Sequence, residues 1–250
     1  MASDALKELL LAMADDELLL GHRDGEWTGH APIIEEDIAF SNLAQDEIGH
    51  ALLWYQLRHN LGGEDPDHLA FLRGPEAFRC CHLVEQPKGD WAFTIVRQFL
   101  FDAAEQVRLE SLVRSSYTPL AEAAGKVRPE ESYHWMHLHS WVERLGDATA
   151  ESHRRMTAAL ASAFPLAFGL FEPLAAEEQL VRDGVFAGNA ALLAQWLDLV
   201  VPVLTQSGLQ PPAPQPQSGY GGRRGQHTPA LAQALADLQV VRRLIPQAAW

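Results

Sequence analysis

Two Glu-x-x-His segments constrain this sequence most, because both lie in stretches with the periodicity of a buried helix. Around the first, residues recur in steps of four and three, in the series Glu36, Phe40, Leu43, Glu47, His50 and Trp54. Such a series marks one face of an α-helix packed along a bundle seam. A carboxylate and an imidazole therefore take positions where Leu or Val would normally lie. Since an ionised carboxylate removed from water is strongly unfavourable without a partner, these groups must be protonated, paired or metal-bound.

The second segment and two further predicted helices also place polar groups on the core side. The second series is Ala124, Val127, Glu131, His134, Leu138, Trp141 and Leu145. In the first predicted helix, Glu17 falls on a stripe of large aliphatic residues. In the third, Asp102 and Glu105 share one face, and periodicity does not decide between them. Four helices thus direct carboxylates inward.

This arrangement has the ligand composition of a dinuclear metal site. Ferritin-like di-iron and di-manganese proteins use one carboxylate from each of two helices and a Glu-x-x-His from each of two others. A three-residue spacing places Glu and His on one helix face, so both can reach the same ion. We therefore predict a di-iron site, with manganese as the alternative metal. The predicted ligands are Glu17, Glu47, His50, Asp102 (with Glu105 as the alternate), Glu131 and His134.

Two acids precede the ligand glutamates and have a separate predicted role. Asp46 and Glu130 could accept hydrogen bonds from the imidazole N–H groups of the ligand histidines. The alternative for the whole cluster is a relict site without metal, in which the acids pair with Arg97 or Arg108. Either case predicts a polar cluster inside the bundle.

The fold class that follows is all-α, because no β pattern competes with the helical periodicity anywhere. We predict one ferritin-like domain over residues 1–250, with a four-helix core bundle at about 4–146 and further helices at about 150–250. A long connection, with or without one short helix, is expected at about 64–90, and a loop rich in Pro and Gly at 211–225. Pro129, four residues after Gly125, predicts a kink or a restart in the fourth helix.

Composition excludes several classes of function. The chain has 19 basic and 33 acidic residues and a net charge of −14, which opposes binding to nucleic acid or anionic lipid. No apolar run of membrane-spanning length and no signal peptide are seen, so we expect a cytoplasmic protein without a membrane association. Cys80 and Cys81 are adjacent, a spacing that rarely permits a disulfide, so both are expected to be reduced.

Several segments resemble the phenylacetyl-CoA epoxidase family, and in particular its smaller ferritin-like subunit. The resemblance covers nearly the whole chain and is carried by Glu26-Trp-Thr-Gly-His-Ala-Pro32, Leu83-Val-Glu-Gln-Pro-Lys-Gly89, Trp141-Val-Glu-Arg-Leu-Gly146, Gly221-Gly-Arg-Arg-Gly-Gln-His-Thr228 and Pro246-Gln-Ala-Ala-Trp250. It implies a multicomponent oxygenase whose catalytic subunit uses two irons and dioxygen to form the ring 1,2-epoxide of phenylacetyl-CoA. The implied partners are that catalytic di-iron subunit, a flavin/iron–sulfur reductase and a small bridging subunit, in a hetero-oligomer.

The sequence departs from the smaller subunit of that family, which supports the catalytic chain and lacks ligands. Gln45–His50 and Glu130–His134 are similar to the catalytic subunit's motifs, and Glu17 matches its first ligand. The resemblance also carries the third-helix ligand onto Asp102, with Glu105 kept as the alternate. Two functions follow: an oxygenase component with a complete ligand set, or a non-catalytic scaffold with a relict site. Iron storage is less favoured, because the C-terminal third does not fit a compact storage shell.

A basic loop near the C-terminus offers one further candidate site. Arg223 and Arg224 lie among glycines at 219–225 and could bind the phosphates of CoA. The alternative is a flexible, solvated loop, which we favour.

Overall fold

The computed structural model describes residues 2–245, with side chains for all of these except residues 2, 3 and 216. The described chain has α-helices and 3-10 turns and no strand, which confirms the all-α prediction. Four long helices carry the predicted ligands, with a long connection between the second and third, as in ferritin-like chains. The helices are α1 Ala2–Gly25, α2 Ile34–Asn60, α3 Pro66–Phe71, α4 His82–Glu85, α5 Trp91–Leu112, α6 Thr118–Asp147, α7 Ala150–Ala167, α8 Glu177–Arg182, α9 Asn189–Gln206, α10 Pro229–Leu238 and α11 Val240–Leu244.

None of the described helices combines the length and the apolar character that crossing a membrane requires. The residues form two compact units. Unit I contains Leu6–Pro87 and the chain from Gly221 onward, and unit II contains Lys88–Tyr220 with the few residues before Leu6. Unit I is therefore assembled from two segments that are far apart in sequence.

In unit I, buried polar groups on α1 hold the segments that follow it. The Tyr55 hydroxyl donates to Asp15 over 2.5 Å, and the Arg73 guanidinium donates to both oxygens of the same carboxylate. The next residue, Asp16, accepts two bonds from Arg223, at 2.9 and 2.6 Å. Neighbouring acids of one helix thus anchor the connection and the C-terminal segment.

In unit II, α5 forms the centre, and α6, α7 and α9 pack against it. Trp196 lies in an aromatic cluster with Phe164, Phe168 and Phe171, and its indole N–H donates to the Leu100 carbonyl over 3.0 Å. Burial of such large rings is a major favourable term in folding. This packing fixes α5, which carries Asp102.

Several element boundaries differ from those predicted. The restart at Pro129 is wrong, because α6 continues through this residue as one helix. The 64–90 connection contains α3, α4 and a 3-10 turn at Pro75–Ala77. Among the further helices, Gln239 separates α10 from α11. The segment Pro246–Trp250 lies outside the described residues.

Candidate metal centre

In unit I, α1 and α2 bring together Glu17, Glu47 and His50. One ligand atom from each lies within 4.8 Å of the others, and both glutamates are completely buried. His50 Nδ1 is 3.2 Å from Glu17 Oε2. The indole N–H of Trp54 donates to Glu17 Oε1 over 3.1 Å, which fixes the orientation of that carboxylate. We call these three groups the unit I trio.

A glycine allows α1 and α2 to approach closely beside this trio. A Cβ on Gly21 would lie 2.9 Å from the Ala44 carbonyl oxygen and 3.0 Å from Glu47 Cβ. Because Gly21 lies about one turn after Glu17, its small size sets the spacing of the helices where the two glutamates meet.

In unit II, α5 and α6 bring together Asp102, Glu131 and His134. One ligand atom from each again lies within 4.8 Å of the others, and all three residues are completely buried. His134 Nδ1 is 3.4 Å from Glu131 Oε1. The Gln98 amide donates to Asp102 Oδ1 over 2.8 Å. We call these three groups the unit II trio. Like the unit I trio, it offers two carboxylates and one imidazole.

The alternate ligand Glu105 is buried as well, but its carboxylate has a cationic neighbour. The Arg108 guanidinium donates to Glu105 Oε1 and also to the Leu170 carbonyl. Because this ion pair engages Glu105, the geometry of unit II favours Asp102 as the ligand from α5. The predicted arginine pairing of the relict alternative thus occurs at Glu105.

The remaining predicted site residues have different environments. Asp46 is half-buried and Glu130 is exposed, and their role as acceptors for imidazole N–H groups stays a prediction. Arg224 is exposed, whereas Arg223 is buried against Asp16. Burial works to lower the pKa of Arg223, but Asp16 outweighs it, so the pKa is raised. Arg223 thus has a structural role, and the predicted CoA-phosphate contact would depend on Arg224.

The donor chemistry of each trio fits a divalent first-row metal. Two carboxylates and one imidazole are ligands that iron and manganese accept. Two atoms that each lie about 2 Å from one ion are at most about 4 Å apart, and the ligand atoms of each trio lie within 4.8 Å of one another, so small side-chain movements would bring them onto one ion. A bound cation would also offset the repulsion between two buried carboxylates.

Sequence reasoning missed three residues that position the ligands. Trp54 was placed on the correct helix face, but its hydrogen bond to Glu17 and that of Gln98 to Asp102 were not predicted. The signal for Gln98 is its spacing of four residues from Asp102, which allows a side-chain bond within one helix. Gly21 carries no comparable local signal, because its role depends on the neighbouring helix.

A second cluster in unit I, Cys80, Glu85 and His227, is engaged by the protein itself. These residues also offer ligand atoms within 4.8 Å of one another. However, His227 Nδ1 is 2.7 Å from Glu85 Oε1, and His227 Nε2 is 3.0 Å from the Phe78 carbonyl. The backbone N–H and the hydroxyl of Thr228 both donate to Glu85 Oε2. We therefore interpret the cluster as a clasp that holds the C-terminal segment.

This clasp joins two of the segments on which the resemblance was based. Glu85 belongs to the Leu83–Gly89 segment, whereas His227 and Thr228 belong to the Gly221–Thr228 segment. One contact within unit I thereby accounts for Glu85 of the first segment and for His227 and Thr228 of the second.

Comparison with known proteins shows which family the chain belongs to. A family model described as phenylacetic acid catabolic protein matches residues 1–250. The chain is 34% identical to the C component of 1,2-phenylacetyl-CoA epoxidase from Escherichia coli K12, over 96% of this chain and 97% of that protein. It is also 32% identical to the A component of the same enzyme over 112 residues, 44% of this chain and 36% of that protein. The chain therefore belongs to the phenylacetic acid catabolic protein family.

Proposed function

We propose that this chain is part of a multicomponent phenylacetyl-CoA epoxidase, in the position that the C component has in the related enzyme. The observation that carries the proposal is the similarity to the C component, which extends over 96% of this chain and 97% of the relative. Similarity over nearly the full length of both proteins supports a common role in the assembly. The proposed substrate of that assembly is phenylacetyl-CoA.

The proposed partners follow from the same relationship. They are a catalytic di-iron chain related to the A component, a flavin/iron–sulfur reductase that supplies electrons, and a small bridging subunit. The partial similarity of this chain to the A component supports the idea that two related helical chains associate.

We further propose that the two trios together hold two iron ions, with manganese as the alternative metal. Their summed composition, four carboxylates and two imidazoles, is that of ferritin-like dinuclear sites. When bound, two irons supply the redox chemistry for activation of dioxygen. The protein's own contribution is to orient the ligands, through Trp54 on Glu17 and Gln98 on Asp102, and to exclude water by complete burial.

The first experiment is elemental analysis of iron and manganese in the chain expressed alone in iron-replete medium. We expect about two irons per chain, and loss of this iron in the double variant Glu47→Ala/His50→Ala. Glu143→Ala removes an exposed carboxylate from α6 and is the matched control that retains the metal. Absence of metal from the wild-type chain would refute the di-iron proposal and leave the partner role standing.

The second candidate function is a non-catalytic scaffold with a relict metal site. It is favoured by one observation, that the similarity to the C component covers nearly the whole chain while that to the A component covers less than half. Reconstitution with the partner chain related to the A component distinguishes the two functions. If Glu47→Ala leaves the rate of epoxide formation unchanged, the scaffold function is correct.

A further inference from the structure

The clasp formed by Cys80, Glu85 and His227 requires a positive charge at its centre. His227 Nε2 lies 3.0 Å from the Phe78 carbonyl oxygen, which can only accept, so this nitrogen carries a proton. In the neutral imidazole the other nitrogen, Nδ1, then has a lone pair, and it lies 2.7 Å from a second acceptor, Glu85 Oε1. Two lone pairs at this distance repel each other. A cation, either a proton or a metal ion, must therefore lie between these two atoms.

Cys80 supplies a third donor atom at the same place. Its sulfur lies within 4.8 Å of one ligand atom of Glu85 and one of His227. Cys80 and Glu85 are completely buried, and the side chain of His227 is 4% exposed. Sulfur, imidazole nitrogen and carboxylate oxygen are the ligand types that zinc takes in proteins. The unit I and unit II trios contain no sulfur, so the clasp selects a softer metal than they do.

The hydrogen bonds around the clasp are those of a prepared metal site. Histidines that bind metal commonly donate their other ring N–H to a backbone carbonyl, which fixes the tautomer, and His227 does so to Phe78. Ligand carboxylates are commonly hydrogen-bonded as well. Glu85 Oε2 accepts from the backbone N–H and the hydroxyl of Thr228, at 2.8 and 2.7 Å. These bonds engage one polar atom of each side chain and leave Glu85 Oε1 and His227 Nδ1 as the atoms for a shared cation.

The C-terminal segment is held beside Cys80 by contacts that do not involve the three ligands' side chains. A Cβ at Gly222 would overlap the Cys80 carbonyl oxygen, so a larger residue there would prevent this approach. Arg223 donates to both oxygens of Asp16. These two contacts lie five and four residues before His227 and hold its backbone in place. The ligands are thus brought together before an ion binds, which lowers the entropic cost of binding it.

We propose that the clasp is a zinc site, with Cys80 Sγ, Glu85 Oε1 and His227 Nδ1 as its protein ligands. Zinc sites with three protein ligands complete their tetrahedron with a water molecule. Without metal, the thiol keeps one proton and a second lies between His227 and Glu85. Zinc replaces both protons, and its two charges balance the thiolate and the carboxylate. At zinc bonds of about 2.0 Å, Oε1 and Nδ1 would lie about 3.3 Å apart, so they must separate by about 0.6 Å.

Cobalt(II) in place of zinc tests the site, because a cobalt–thiolate bond gives a charge-transfer band in the near ultraviolet that oxygen and nitrogen ligands do not give. The full chain is depleted of metal with a chelator under reducing conditions and then titrated with cobalt. We expect a band with the intensity of about one cobalt–thiolate bond per chain. Excess zinc should abolish it, since zinc binds such ligands more tightly than cobalt does. Cobalt bound to the trios does not contribute, because they contain no cysteine.

Two ligand variants and one control locate the band. Cys80→Ala removes the sulfur and should abolish the band. Cys81→Ala is the matched control and should retain it, since Cys81 is equally buried and lies outside the cluster. His227→Gln keeps a side-chain donor for the Phe78 carbonyl but loses the imidazole, so we expect at least a tenfold rise in the Kd for cobalt, measured from the band.

Several outcomes would overturn the zinc site. They are absence of the band from the wild-type chain at saturating cobalt, a band that Cys80→Ala leaves unchanged, and loss of the band in folded Cys81→Ala. Thermal unfolding of the metal-depleted variants verifies that they fold, and if Cys80→Ala does not fold, an unchanged Kd in His227→Gln refutes the site. None of these outcomes bears on the proposed oxygenase role, which does not depend on Cys80.

Discussion

At the scale of single residues, the orientation of the buried carboxylates depends on neighbours that do not themselves bind metal. The Trp54 indole fixes one oxygen of Glu17, and the Gln98 amide fixes one oxygen of Asp102. Outer neighbours of this kind commonly change metal affinity by about 10- to 100-fold.

We therefore expect Trp54→Phe to lower the iron affinity of the chain by about tenfold, because the ring is retained but the N–H donor to Glu17 is lost. The affinity is measured by competition with a chelator. Gln179→Ala is the matched control, since it removes a side-chain donor to a carboxylate, that of Asp183, which is not a predicted ligand. Equal affinities of wild type and Trp54→Phe would show that Trp54 does not position this ligand.

At the scale of helices, two glycines in α1 and α2 have opposite surroundings. Gly21 has no room for a side chain, because a Cβ would meet the Ala44 backbone at 2.9 Å. Gly49 has open space on its side of α2. Identical substitutions at these positions therefore probe helix packing and helix propensity separately.

Gly49→Ala should raise the free energy of unfolding of the isolated chain by about 1 kcal/mol, through helix propensity alone. Gly21→Ala should lower it by about 1 to 3 kcal/mol, because the helices must separate to relieve the overlap. Urea unfolding of both variants measures the two effects. A loss of stability for Gly49→Ala would mean that α2 is packed differently on this side.

Helix faces were the part of the structure that the sequence predicted well. Every member of the series that contains Glu47 and His50 is buried, because a helix face depends only on local spacing. At Pro129 the sequence left a kink and a restart open, and α6 continues as one helix because the packing of the whole helix outweighs one lost backbone hydrogen bond.

Contacts between residues that are far apart in sequence could not be predicted from its periodicity. Asp16 and Arg223 are 207 residues apart, so no periodicity connects them, and Arg223 was assigned to a different role. The resemblance already favoured Asp102 over Glu105, and the ion pair between Arg108 and Glu105 adds a physical reason that periodicity could not supply. The identity of the ligands still rests on sequence pattern and composition together with the two buried trios.

At the scale of the whole molecule, the pKa values of two buried thiols and one buried phenol are raised well above their ordinary values. Burial, with a smaller contribution from Glu85, raises the pKa of Cys80, and burial, with a smaller contribution from Asp16, raises that of Cys81. Burial and the neighbouring Asp15 raise the pKa of Tyr55. The native state therefore retains these protons at a pH where the unfolded chain releases them.

We accordingly expect stability to fall as pH rises above about 9, the pKa of the unfolded thiols. Below that pH both states are protonated and the full stability is present. Above it, each thiol contributes a loss of about 1.4 kcal/mol per pH unit until the folded form also ionises. Urea unfolding at pH 8 and pH 10 measures the decline, and Cys80→Ala/Cys81→Ala should make it shallower. An equally steep decline in that variant would assign it to other groups.

The discontinuous course of unit I has a consequence for how the chain is made. Arg223, His227 and Thr228 hold α1 and the 78–85 segment from the last part of the sequence. A ribosome that synthesises the chain from the N-terminus at about 5 to 20 residues per second adds these three residues only after the Lys88–Tyr220 segment of unit II. Unit II, which is nearly contiguous, can therefore form before the second segment of unit I has been made, whereas unit I is completed only after that segment has been added. A transcript truncated before the codon for Gly221 would therefore yield a nascent product in which Asp16 and Glu85 lack the partners that this segment supplies.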